Sequence, residues 1–544
     1  MADVYQMAAG TCGRIVGLPF SICTFIRSIH LNNSLSHSSR SPKRRTFSVF
    51  VFLAVFALVT GSVFAQLPGS LDTTFGSSGV SLANISTSDD EIFGLATQSD
   101  NKIVAVGYSD GVAGFAVSRF NSNGSLDTTS FGTSGTAKTV FSHASYAYAV
   151  AIQSDGMIVV AGDVGPGLGF GLARYTSSGQ PDTTFGTSGK VETSTQGLGG
   201  ATSVALQSDG KIVVAGYTQT GDFVVSRFTS SGAFDTTFGG GDGIATMDFF
   251  GDLDRASSVK LQSDGKIVVA GSAIDFDLLT EFAIARYNTD GSLDSSFGTS
   301  GVSTTFIECG TEAAGCGIDA MSIQPDGKIA VAASNQDVYL ARFNSDGSLN
   351  GSVITTNMGG QTDDVDAMTI DAAGSILITG STNTAGDVDF FVAKYSYNGG
   401  LDSSFDGGDG IVVTPLGSSS DLAHAIALQP NGGIIVGGSK GDFGSKQFAL
   451  VRYVGVQPTA EHVSVSGRIT NSFGSGMSSI MVSLSDGTTT WNTRTSTFGY
   501  YTFSNVEVGH TYIVTPHSLK YTFTPSSRVL NVLDEVSGVN FVGN

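Results

Sequence analysis

Tryptophan and proline are scarce in this chain, and it lacks the signals of helical folds and of several common catalytic sites. It contains one tryptophan and eleven prolines among 544 residues. No stretch of helical period longer than a turn or two occurs between Leu67 and Tyr453, which excludes a helical solenoid over that range. The motifs HExxH and GxSxG and the phosphate-binding loop are missing, so the sequence offers no sign of a zincin, a nucleophile elbow or a nucleotide site.

Basic residues are also few. The chain has 27 Lys and Arg against 47 Asp and Glu, a net charge of -20. Such an acidic chain repels phosphate backbones and anionic lipid, so nucleic acid is excluded as a partner.

Cysteine and histidine offer little to a metal ion. Cys12 and Cys23 lie near the N-terminus, and Cys309 and Cys316 form an even pair that predicts a local disulfide in an exported protein. Five histidines follow residue 65, and none has metal-ligand spacing: His143, His424, His462, His510 and His517. No cofactor is required by these patterns.

The N-terminal 65 residues are typical of an extension that ends in an export signal. Lys43, Arg44 and Arg45 precede an apolar run from Phe47 to Val59, and Val63 and Ala65 occupy the small-residue positions of a cleavage site. The alternative is an uncleaved anchor, because Phe47 to Ala65 nearly suffices for a membrane helix. The prediction is a secreted or cell-surface protein that meets a membrane only through this segment, if it is not cleaved.

Glycine is abundant, with 72 residues, and an internal repeat explains why. The sequence QSDGKIVVAG occurs at Gln207–Gly216 and again at Gln262–Gly271. Related segments raise the number of repeats to seven, starting at Gln98, Gln153, Gln207, Gln262, Gln324, Asp371 and Gln429. A period near 54 residues suits a four-stranded blade better than a helical repeat.

Each repeat divides into four apolar pieces, which in the third are ATSVALQ, KIVVAGY, FVVSRF and FDTTFG. The intervening SDG predicts a hairpin turn, and consecutive apolar residues in KIVVAG predict a strand buried on both faces. Seven such units predict an all-β, seven-bladed β-propeller over 66–454.

The chain ends of this region predict how the ring closes. FALVRY, Phe448–Tyr453, has no LDTTFG piece after it, whereas a spare LDTTFG occurs at Leu71–Gly76. We expect this N-terminal piece to complete the last blade as its closing strand.

The motifs GSLDTTFG, QSDGKIVVAG and FxxxRY at this period resemble the bacterial delta-60 repeats, a β-propeller family. The resemblance covers about Leu67 to Tyr453 and implies an exported propeller without assigned catalytic residues. Units five and six depart from it, since GSLNGSV replaces GSLDTTF and DAAGS replaces QSDGK.

A linker at 455–461 precedes a second region, 462–544, whose short alternating segments predict a small β-sandwich. SGRITNSFGSGMSSIMVSLSDG and TSTFGYYTFSNVEVGHTYIVTP are similar to the carboxypeptidase regulatory-like domain, a transthyretin-like sandwich. The resemblance implies an accessory module without catalysis. Trp491 is either a contact residue or packed over the sandwich edge, and packing is the more common role.

One cation per blade is followed eight residues later by an acid. The pairs predicted to be structural are Arg119 with Asp127, Arg174 with Asp182, Arg227 with Asp235, Arg286 with Asp294, Lys394 with Asp402, and Arg452 with Asp72 of the closing segment. Arg342 has Asn350 at this offset.

Four repeats carry an aspartate eight residues before the hairpin turn: Asp90, Asp254, Asp363 and Asp421. If the strand that follows is innermost, these acids gather at one mouth of the channel, where they are candidates to hold Ca²⁺ or a polar ligand. The alternative is that they are solvated acids with roles in Asx turns of the crossing loops.

Taken together, the residues predict an exported, non-catalytic propeller that binds an extracellular polysaccharide or protein at the cell surface. One alternative is a carbohydrate-active hydrolase or lyase with paired carboxylates at the channel mouth. Another is a structural component of the cell envelope.

Overall fold

Every secondary-structure element among the described residues is a β-strand. The computed structural model describes residues 66–109, 114–165, 168–193, 197–251, 253–309, 314–384, 386–455, 462–487, 489–507, 510–532 and 536–544. Over this part of the chain, no helix is long and apolar enough to cross a membrane. The predicted export signal lies outside the described residues.

Seven four-stranded antiparallel sheets, here called blades 1 to 7, follow one another along the chain. The first strand, β1 (Val80–Ala83), belongs to blade 7. Blades 1 to 3 contain β2 (Asp90–Thr97), β3 (Ile103–Ser109), β4 (Gly114–Phe120) and β5 (Thr136–Val140); β6 (Tyr146–Ile152), β7 (Ile158–Asp163), β8 (Phe170–Tyr175) and β9 (Lys190–Glu192); and β10 (Leu198–Leu206), β11 (Ile212–Thr218), β12 (Phe223–Phe228) and β13 (Ile244–Met247). Blade 4 contains β14 (Asp254–Leu261), β15 (Ile267–Ile274), β16 (Thr280–Tyr287) and β17 (Val302–Thr305), and a two-stranded ribbon of β18 (Glu308–Cys309) and β19 (Ala314–Gly315) follows it. Blades 5 to 7 contain β20 (Ala320–Ile323), β21 (Ile329–Asn335), β22 (Asp337–Phe343) and β23 (Ile354–Thr356); β24 (Asp363–Ile370), β25 (Ile376–Thr384), β26 (Asp387–Tyr395) and β27 (Ile411–Thr414); and β28 (Asp421–Leu428), β29 (Ile434–Lys440) and β30 (Gln447–Tyr453), joined by β1.

The first strands of the blades form a closed ring. Strand β2 contacts β6, and the contacts continue through β10, β14, β20, β24 and β28 back to β2. These seven inner strands therefore surround a common axis, with the other strands of each blade outside them. The prediction of a seven-bladed β-propeller is confirmed.

The ring is closed by the N-terminal segment, as predicted, but by a different strand. Strand β1 pairs with β30, with Val80 opposite Val451 and Ala83 opposite Phe448. The LDTTFG segment forms a turn instead, and only Leu71 makes a bridge to the last blade. Its phenylalanine is fully buried, and this apolar burial explains why the segment resembled a strand. The same correction applies to the other blades, where FDTTFG is a turn and the outer strand, such as β13, comes after it.

The residues of the repeated sequence suit both the SDG turn and the close packing of the strand that follows it. Gly210 of the SDG turn has a φ of 84°, which only glycine adopts without strain. A Cβ on Gly216 would lie 2.0 Å from the carbonyl oxygen of Gly200 on the inner strand. Ile212 to Ala215 between them are fully buried, as predicted for a strand covered on both faces.

The C-terminal residues form a β-sandwich. One sheet has the order β34-β31-β38-β36 and the other β33-β32-β35-β37. The strands are β31 (His462–Asn471), β32 (Met481–Ser485), β33 (Thr490–Arg494), β34 (Tyr500–Glu507), β35 (His510–His517), β36 (Phe523–Thr524), β37 (Arg528–Val532) and β38 (Phe541–Gly543). A core that includes Val465, Val482 and Val514 lies between the sheets. The domain boundaries at 65, 454 and 461 stay predictions.

The disulfide between Cys309 and Cys316 is present, as predicted. It lies at the ribbon of β18 and β19, and both cysteines pack into the apolar cluster shared by blades 4 and 5. The repeat is longer here than elsewhere, and the extra residues add buried surface between two blades.

Candidate functional site

All six predicted cation–acid pairs are ion pairs in the structure, and they serve the scaffold. Their N···O distances are 2.8 Å for Arg119–Asp127, 2.7 Å for Arg174–Asp182, Arg227–Asp235 and Arg286–Asp294, 3.1 Å for Lys394–Asp402, and 2.9 Å for Arg452–Asp72. Most of these side chains are buried. Burial opposes ionisation of Asp127, but hydrogen bonds from Ser130 and Arg119 outweigh it and lower the pKa of the carboxyl to about 2.

The same arginines connect neighbouring blades. Arg174 of blade 2 donates a hydrogen bond to the carbonyl oxygen of Ser230 in blade 3 at 2.5 Å, and Arg452 of blade 7 donates to Ser122 of blade 1 at 2.5 Å. Arg119, Arg227, Arg286 and Arg342 make the equivalent contact with Ser177, Thr289, Ser345 and Tyr397. These inter-blade arginines are therefore occupied by structural contacts and do not form an anion site.

Blade 5 lacks the acid, and restoring it should stabilise the protein. Among the described residues Arg342 has no ion-pair partner, and Asn350 donates instead to Asn344 at 2.7 Å. We expect Asn350→Asp to raise the free energy of unfolding by about 1 kcal/mol, the usual size of a well-placed ion pair, measured by urea denaturation. The same substitution in an Arg342→Met background should give no gain; an equal gain there would exclude the pair as the cause.

The four aspartates before the hairpin turns are fully buried at the starts of inner strands. Each carboxylate accepts a hydrogen bond from the backbone N–H five residues earlier. The donors are Ile85 to Asp90 at 2.7 Å, Phe249 to Asp254 at 2.7 Å, Met358 to Asp363 at 2.7 Å, and Leu416 to Asp421 at 2.9 Å. These carboxylates thus hold the loop that crosses from one blade to the next. They have a role in loop structure, but the expectation that such acids are solvated is wrong, because all four are buried.

Metal binding by the four aspartates gains no support from this geometry. Within the described ranges, no three His, Cys, Asp or Glu side chains are grouped as metal ligands. Burial raises the pKa of Asp254 to about 6 and that of Asp421 to about 6, so their charged forms are disfavoured in mild acid. A role for Ca²⁺ stays a prediction.

A β-bulge recurs near the start of the inner strand in six blades. The residues at these bulges form a second candidate set, different from the four aspartates. The unpaired residue lies three positions after the aspartate position, as between Ile92 and Gly94. A bulge changes the direction of the side chain it carries. The bulged residues are Phe93, Tyr148, Thr202, Ser257, Asp366 and His424. They differ in chemistry from blade to blade, although the surrounding repeat is nearly constant.

Five of the bulged residues line one cavity of about 460 Å³. We call this cavity the channel-mouth pocket; it is lined by Phe93, Tyr148, Gly200, Ala201, Thr202, Tyr217, Arg255, Asp366 and His424. Most of these residues lie near the starts of six inner strands, so the pocket lies on the propeller axis at the end where those strands begin. The Phe93 ring is 5.4 Å from Tyr148 and 5.2 Å from His424, which forms a continuous aromatic wall.

Blade 3 is adapted to bring another aromatic ring into this pocket. Tyr217 comes from its second strand, and a Cβ on Gly199 or Gly200 would lie within 2.7 Å of the Tyr217 ring or hydroxyl. The two glycines therefore allow the ring to lie across the inner strand. Arg255 stacks over it at 4.8 Å, is exposed, and has no ion-pair partner among the described residues.

His424 carries a positive charge in the pocket. Its Nδ1 lies 3.0 Å from Asp366, and its Nε2 lies 3.0 Å from Glu91. Burial opposes the charge, but hydrogen bonds to the two carboxylates outweigh it and raise the pKa of His424 to about 9. Glu91 also accepts from Ser439 at 3.0 Å and Lys446 at 2.9 Å. This network joins blades 6, 7 and 1 and fixes one side of the pocket.

The residues of this pocket are not the ones that the sequence motifs single out. His424 lacks metal-ligand spacing, and the repeat pattern favours the buried aspartate three positions before the bulge. Aligning the seven repeats on the hairpin turn would have shown the signal. At the bulge position those repeats carry Phe, Tyr, Thr, Ser, Asp, Asp and His, where a purely structural position would repeat one residue type.

The family described as "Domain of unknown function (DUF5122) beta-propeller" matches six segments of the chain: 98–129, 153–185, 207–238, 262–297, 324–352 and 374–405. These matches support placing the repeats in a bacterial β-propeller repeat family. No curated protein is significantly similar to the chain in sequence.

Several solved structures are similar to the chain. A lectin from Burkholderia pseudomallei is 13% identical with a TM-score of 0.43, over 68% of this chain and 97% of the lectin. A polysaccharide lyase is 12% identical with a TM-score of 0.41, over 73% of this chain and 94% of the lyase. The surface component PorZ of the type-IX secretion system of Porphyromonas gingivalis is 11% identical with a TM-score of 0.38, over 81% of this chain and 59% of PorZ.

Proposed function

We propose that this protein is an exported, non-catalytic propeller that binds a polysaccharide in the channel-mouth pocket. The observation that supports this is the diversity of the bulged residues on a constant scaffold. Because the fold accepts such different residue types at the bulge position, the particular set of Phe93, Tyr148 and His424 is explained better by a ligand than by stability.

The chemistry of the pocket suits a sugar. The rings of Phe93, Tyr148 and Tyr217 offer apolar faces on which the C–H face of a pyranose can pack. Arg255 can donate hydrogen bonds to hydroxyl groups or to a carboxylate, and Asp366 can accept them. A mainly aromatic wall with a few polar groups is the usual composition of a small-molecule site.

Retention of the full-length protein on a panel of immobilised polysaccharides tests this proposal. We expect retention on at least one of them, and we expect Tyr148→Ala and Arg255→Ala each to weaken it about tenfold or more, because each removes a direct contact. Tyr397→Ala is the matched control, since Tyr397 follows β26 at the opposite end of the blades, and it should be retained like the wild type.

Two results would contradict this assignment. Retention that survives both pocket substitutions would place the ligand elsewhere on the protein. No retention on any polysaccharide would favour a protein ligand or a structural role in the cell envelope. The panel is also run with EDTA, where loss of retention would support the Ca²⁺ prediction at Asp90, Asp254, Asp363 and Asp421.

A carbohydrate-active enzyme is the second candidate, and Asp319 favours it. This residue precedes β20 at the position that bulges in the other blades, next to the blade that carries Asp366. Burial raises its pKa to about 7, although Ser334 donates two hydrogen bonds to it at 2.9 Å. Asp366 lies close enough to contribute to this raised pKa, and a carboxyl with a raised pKa beside a second carboxyl is the arrangement of an acid/base pair. Release of oligosaccharides by the wild type but not by Asp319→Asn would replace the binding proposal.

We assign the accessory role to the C-terminal sandwich. Its alternating strands and its resemblance to the carboxypeptidase regulatory-like domain support a transthyretin-like module attached to the propeller. The delta-60 resemblance of the repeats and the N-terminal signal pattern support export.

A further inference from the structure

Lys260 is the one charged residue in the part of the central channel next to the hairpin turns. Each inner strand ends in a four-residue segment directly before its turn. The segments are 94–97, 149–152, 203–206, 258–261, 320–323, 367–370 and 425–428. Apart from Lys260, they contain only apolar, small and hydroxyl-bearing residues. The lysine therefore departs from an otherwise uncharged wall.

The position of Lys260 is occupied by small side chains in the other blades. It lies two residues before the first residue of the hairpin turn. The equivalent residues are Ala96, Ala151, Ala205, Ser322, Thr369 and Ala427. Because the fold accepts alanine here in four blades, the scaffold does not require a lysine at this position.

The side chain of Lys260 extends into the channel. Ser258 lies on the same side of β14, and its hydroxyl is 3.5 Å from the carbonyl oxygen of Met321 in blade 5. The two inner strands are therefore close together, and a long side chain between them has room only toward the axis. All seven residues at this position are partly exposed, whereas Val268, paired with Lys260 on the next strand outward, is fully buried. The accessible surface of Lys260 thus faces the channel.

The ammonium of Lys260 has no counter-charge in the part of the chain that the structure describes. It makes no ion pair and no hydrogen bond with those residues, and burial alone lowers its pKa. A buried cation without a partner is unfavourable. Such a group either loses its proton or pairs with an anion from solution.

Two hydroxyl groups occupy the same level of the channel. Ser322 and Thr369 take the position of Lys260 in blades 5 and 6, the next two blades around the ring. Neither hydroxyl has a hydrogen-bond partner among the residues described. Three consecutive blades therefore present an ammonium and two hydroxyls at this level, and the other four present only methyl groups.

These three groups suit a small oxyanion. The ammonium supplies a positive charge and three N–H donors, and each hydroxyl supplies one O–H donor. Hydrogen bonds from a cation to anionic oxygens are the strong, charge-assisted type. No carboxylate occurs in the seven segments, so nothing in this wall repels an anion. The small side chains on the other blades leave space for the ligand.

We infer that Lys260, Ser322 and Thr369 bind a small oxyanion, a phosphate, sulfate or carboxylate group, inside the central channel. The site lies near the hairpin ends of the inner strands, whereas the channel-mouth pocket lies where these strands begin. The inference therefore does not depend on the proposed polysaccharide ligand. It gives an acidic protein a site for negative charge on its axis.

Calorimetric titration of the full-length protein with sodium phosphate, sulfate and acetate tests the inference. The buffer is HEPES near neutral pH, and NaCl keeps the ionic strength constant. We expect saturable binding of at least one of these anions, with one site per chain. Lys260→Ala should lower the affinity for that anion about tenfold or more. Its melting curve should stay cooperative, because alanine occupies this position in four other blades.

Further variants locate the anion. Ser322→Ala and Thr369→Ala each remove one donor and should each lower the affinity about threefold, the usual effect of one hydrogen bond. The two together should lower it about tenfold, which provides a second test if Lys260→Ala does not fold. Two controls should bind like the wild type. Lys138→Ala removes an exposed lysine of β5, and Arg255→Ala removes the exposed cation of the channel-mouth pocket.

Three outcomes would overturn the inference. The first is no saturable binding of any of the three anions up to about 50 mM, a limit that covers weak binding. The second is unchanged affinity in a folded Lys260→Ala variant, or in the double hydroxyl variant where Lys260→Ala does not fold. The third is loss of binding in Arg255→Ala or Lys138→Ala, which would place the anion in the channel-mouth pocket or on the outer surface.

Discussion

Deletion of residues 66–83 is expected to abolish the cooperative unfolding of the propeller and to produce self-association. The deletion removes β1, which covers β30 over four residues. It also removes Phe75, which is fully buried, and Asp72, the ion-pair partner of Arg452. The exposed edge of β30 is then free to pair with another chain. Thermal melting followed by circular dichroism and size-exclusion chromatography with light scattering would measure both effects.

A peptide and a pair of matched substitutions test the cause. Adding a synthetic peptide of residues 66–83 should restore the monomer and the melting transition. Phe75→Ala and Phe238→Ala remove equivalent buried rings, each stacked under an arginine, and each should cost about 3–5 kcal/mol. Only Phe75→Ala should add dimers, because only its segment can detach. A deletion variant that remains monomeric and melts like the wild type would disprove closure by this segment.

Stability should fall as the pH rises from about 5 to 8. Burial raises the pKa of Asp254 and Asp421 to about 6 and that of Asp319 to about 7, from 3.8. The carboxylates around His424, against the effect of burial, raise its pKa from 6.5 to about 9. Each group binds its proton more tightly in the folded protein, so each contributes stability that is full below its unfolded pKa. This stability is lost as the pH rises through the folded pKa.

A pKa shift of about two units corresponds to about 3 kcal/mol over the whole range between the unfolded and the folded pKa. Because Asp254 and Asp421 lose part of this below pH 5, we expect each to contribute about 1 kcal/mol to the fall above pH 5. Urea denaturation at pH 5, 6, 7 and 8 measures it. Burial lowers the pKa of Lys260, and this group opposes the trend because it holds its proton less tightly in the folded protein. Below pH 4 the trend reverses, because the pKa values of Asp127 and Glu91 are lowered to about 2 and their protonation costs stability.

A double variant identifies the groups responsible for this pH dependence. Asp254→Asn with Asp421→Asn keeps an oxygen that can accept the backbone N–H of Phe249 and Leu416, but it removes the titration. We expect the slope between pH 5 and 7 to become shallower, while Asp319 and His424 retain part of it. Asp209→Asn, at an exposed turn position, should leave the slope unchanged. A slope that is the same in the double variant would exclude the two buried aspartates as its source.

The sequence predicted the repeated parts of the fold well because each is determined locally. The SDG turn needs a glycine with positive φ, and Gly210 and Gly265 have it. The strand KIVVAG is apolar at consecutive positions because both of its faces are covered. The cation–acid pairs were visible because they recur at a constant offset, and constant spacing along a repeat implies constant geometry.

The outer strand of each blade was misplaced for a physical reason. Phe238 in FDTTFG is fully buried and stacks with Arg227, so its apolar character imitates a strand while the backbone turns. Strand β13 is an edge strand, and residues such as Thr246 are exposed, so its apolar pattern is weak. A strand that buries few side chains has a weak apolar pattern, so its sequence gives little indication of a strand.

The sequence did not indicate the residues of the channel-mouth pocket, because these residues come from different blades. Asp254 and Arg255 are adjacent in sequence, yet one holds a loop and the other lines a pocket with Tyr217 and His424. A single repeat does not contain this information. Comparison of the seven repeats shows which position varies, and the arrangement of the inner strands around one axis shows that the residues at this position meet.

Closure of the ring by β1 also determines when folding can finish. Arg452 of the last blade donates to Thr74, 378 residues earlier in the chain, and contacts so distant in sequence form slowly. During synthesis, the segment that contains β1 remains unpaired until nearly the whole propeller has been made. We therefore expect the pairing of β1 with the last blade to be the slow final step of refolding. Any factor that shields the N-terminal segment in the meantime would increase the yield of monomer.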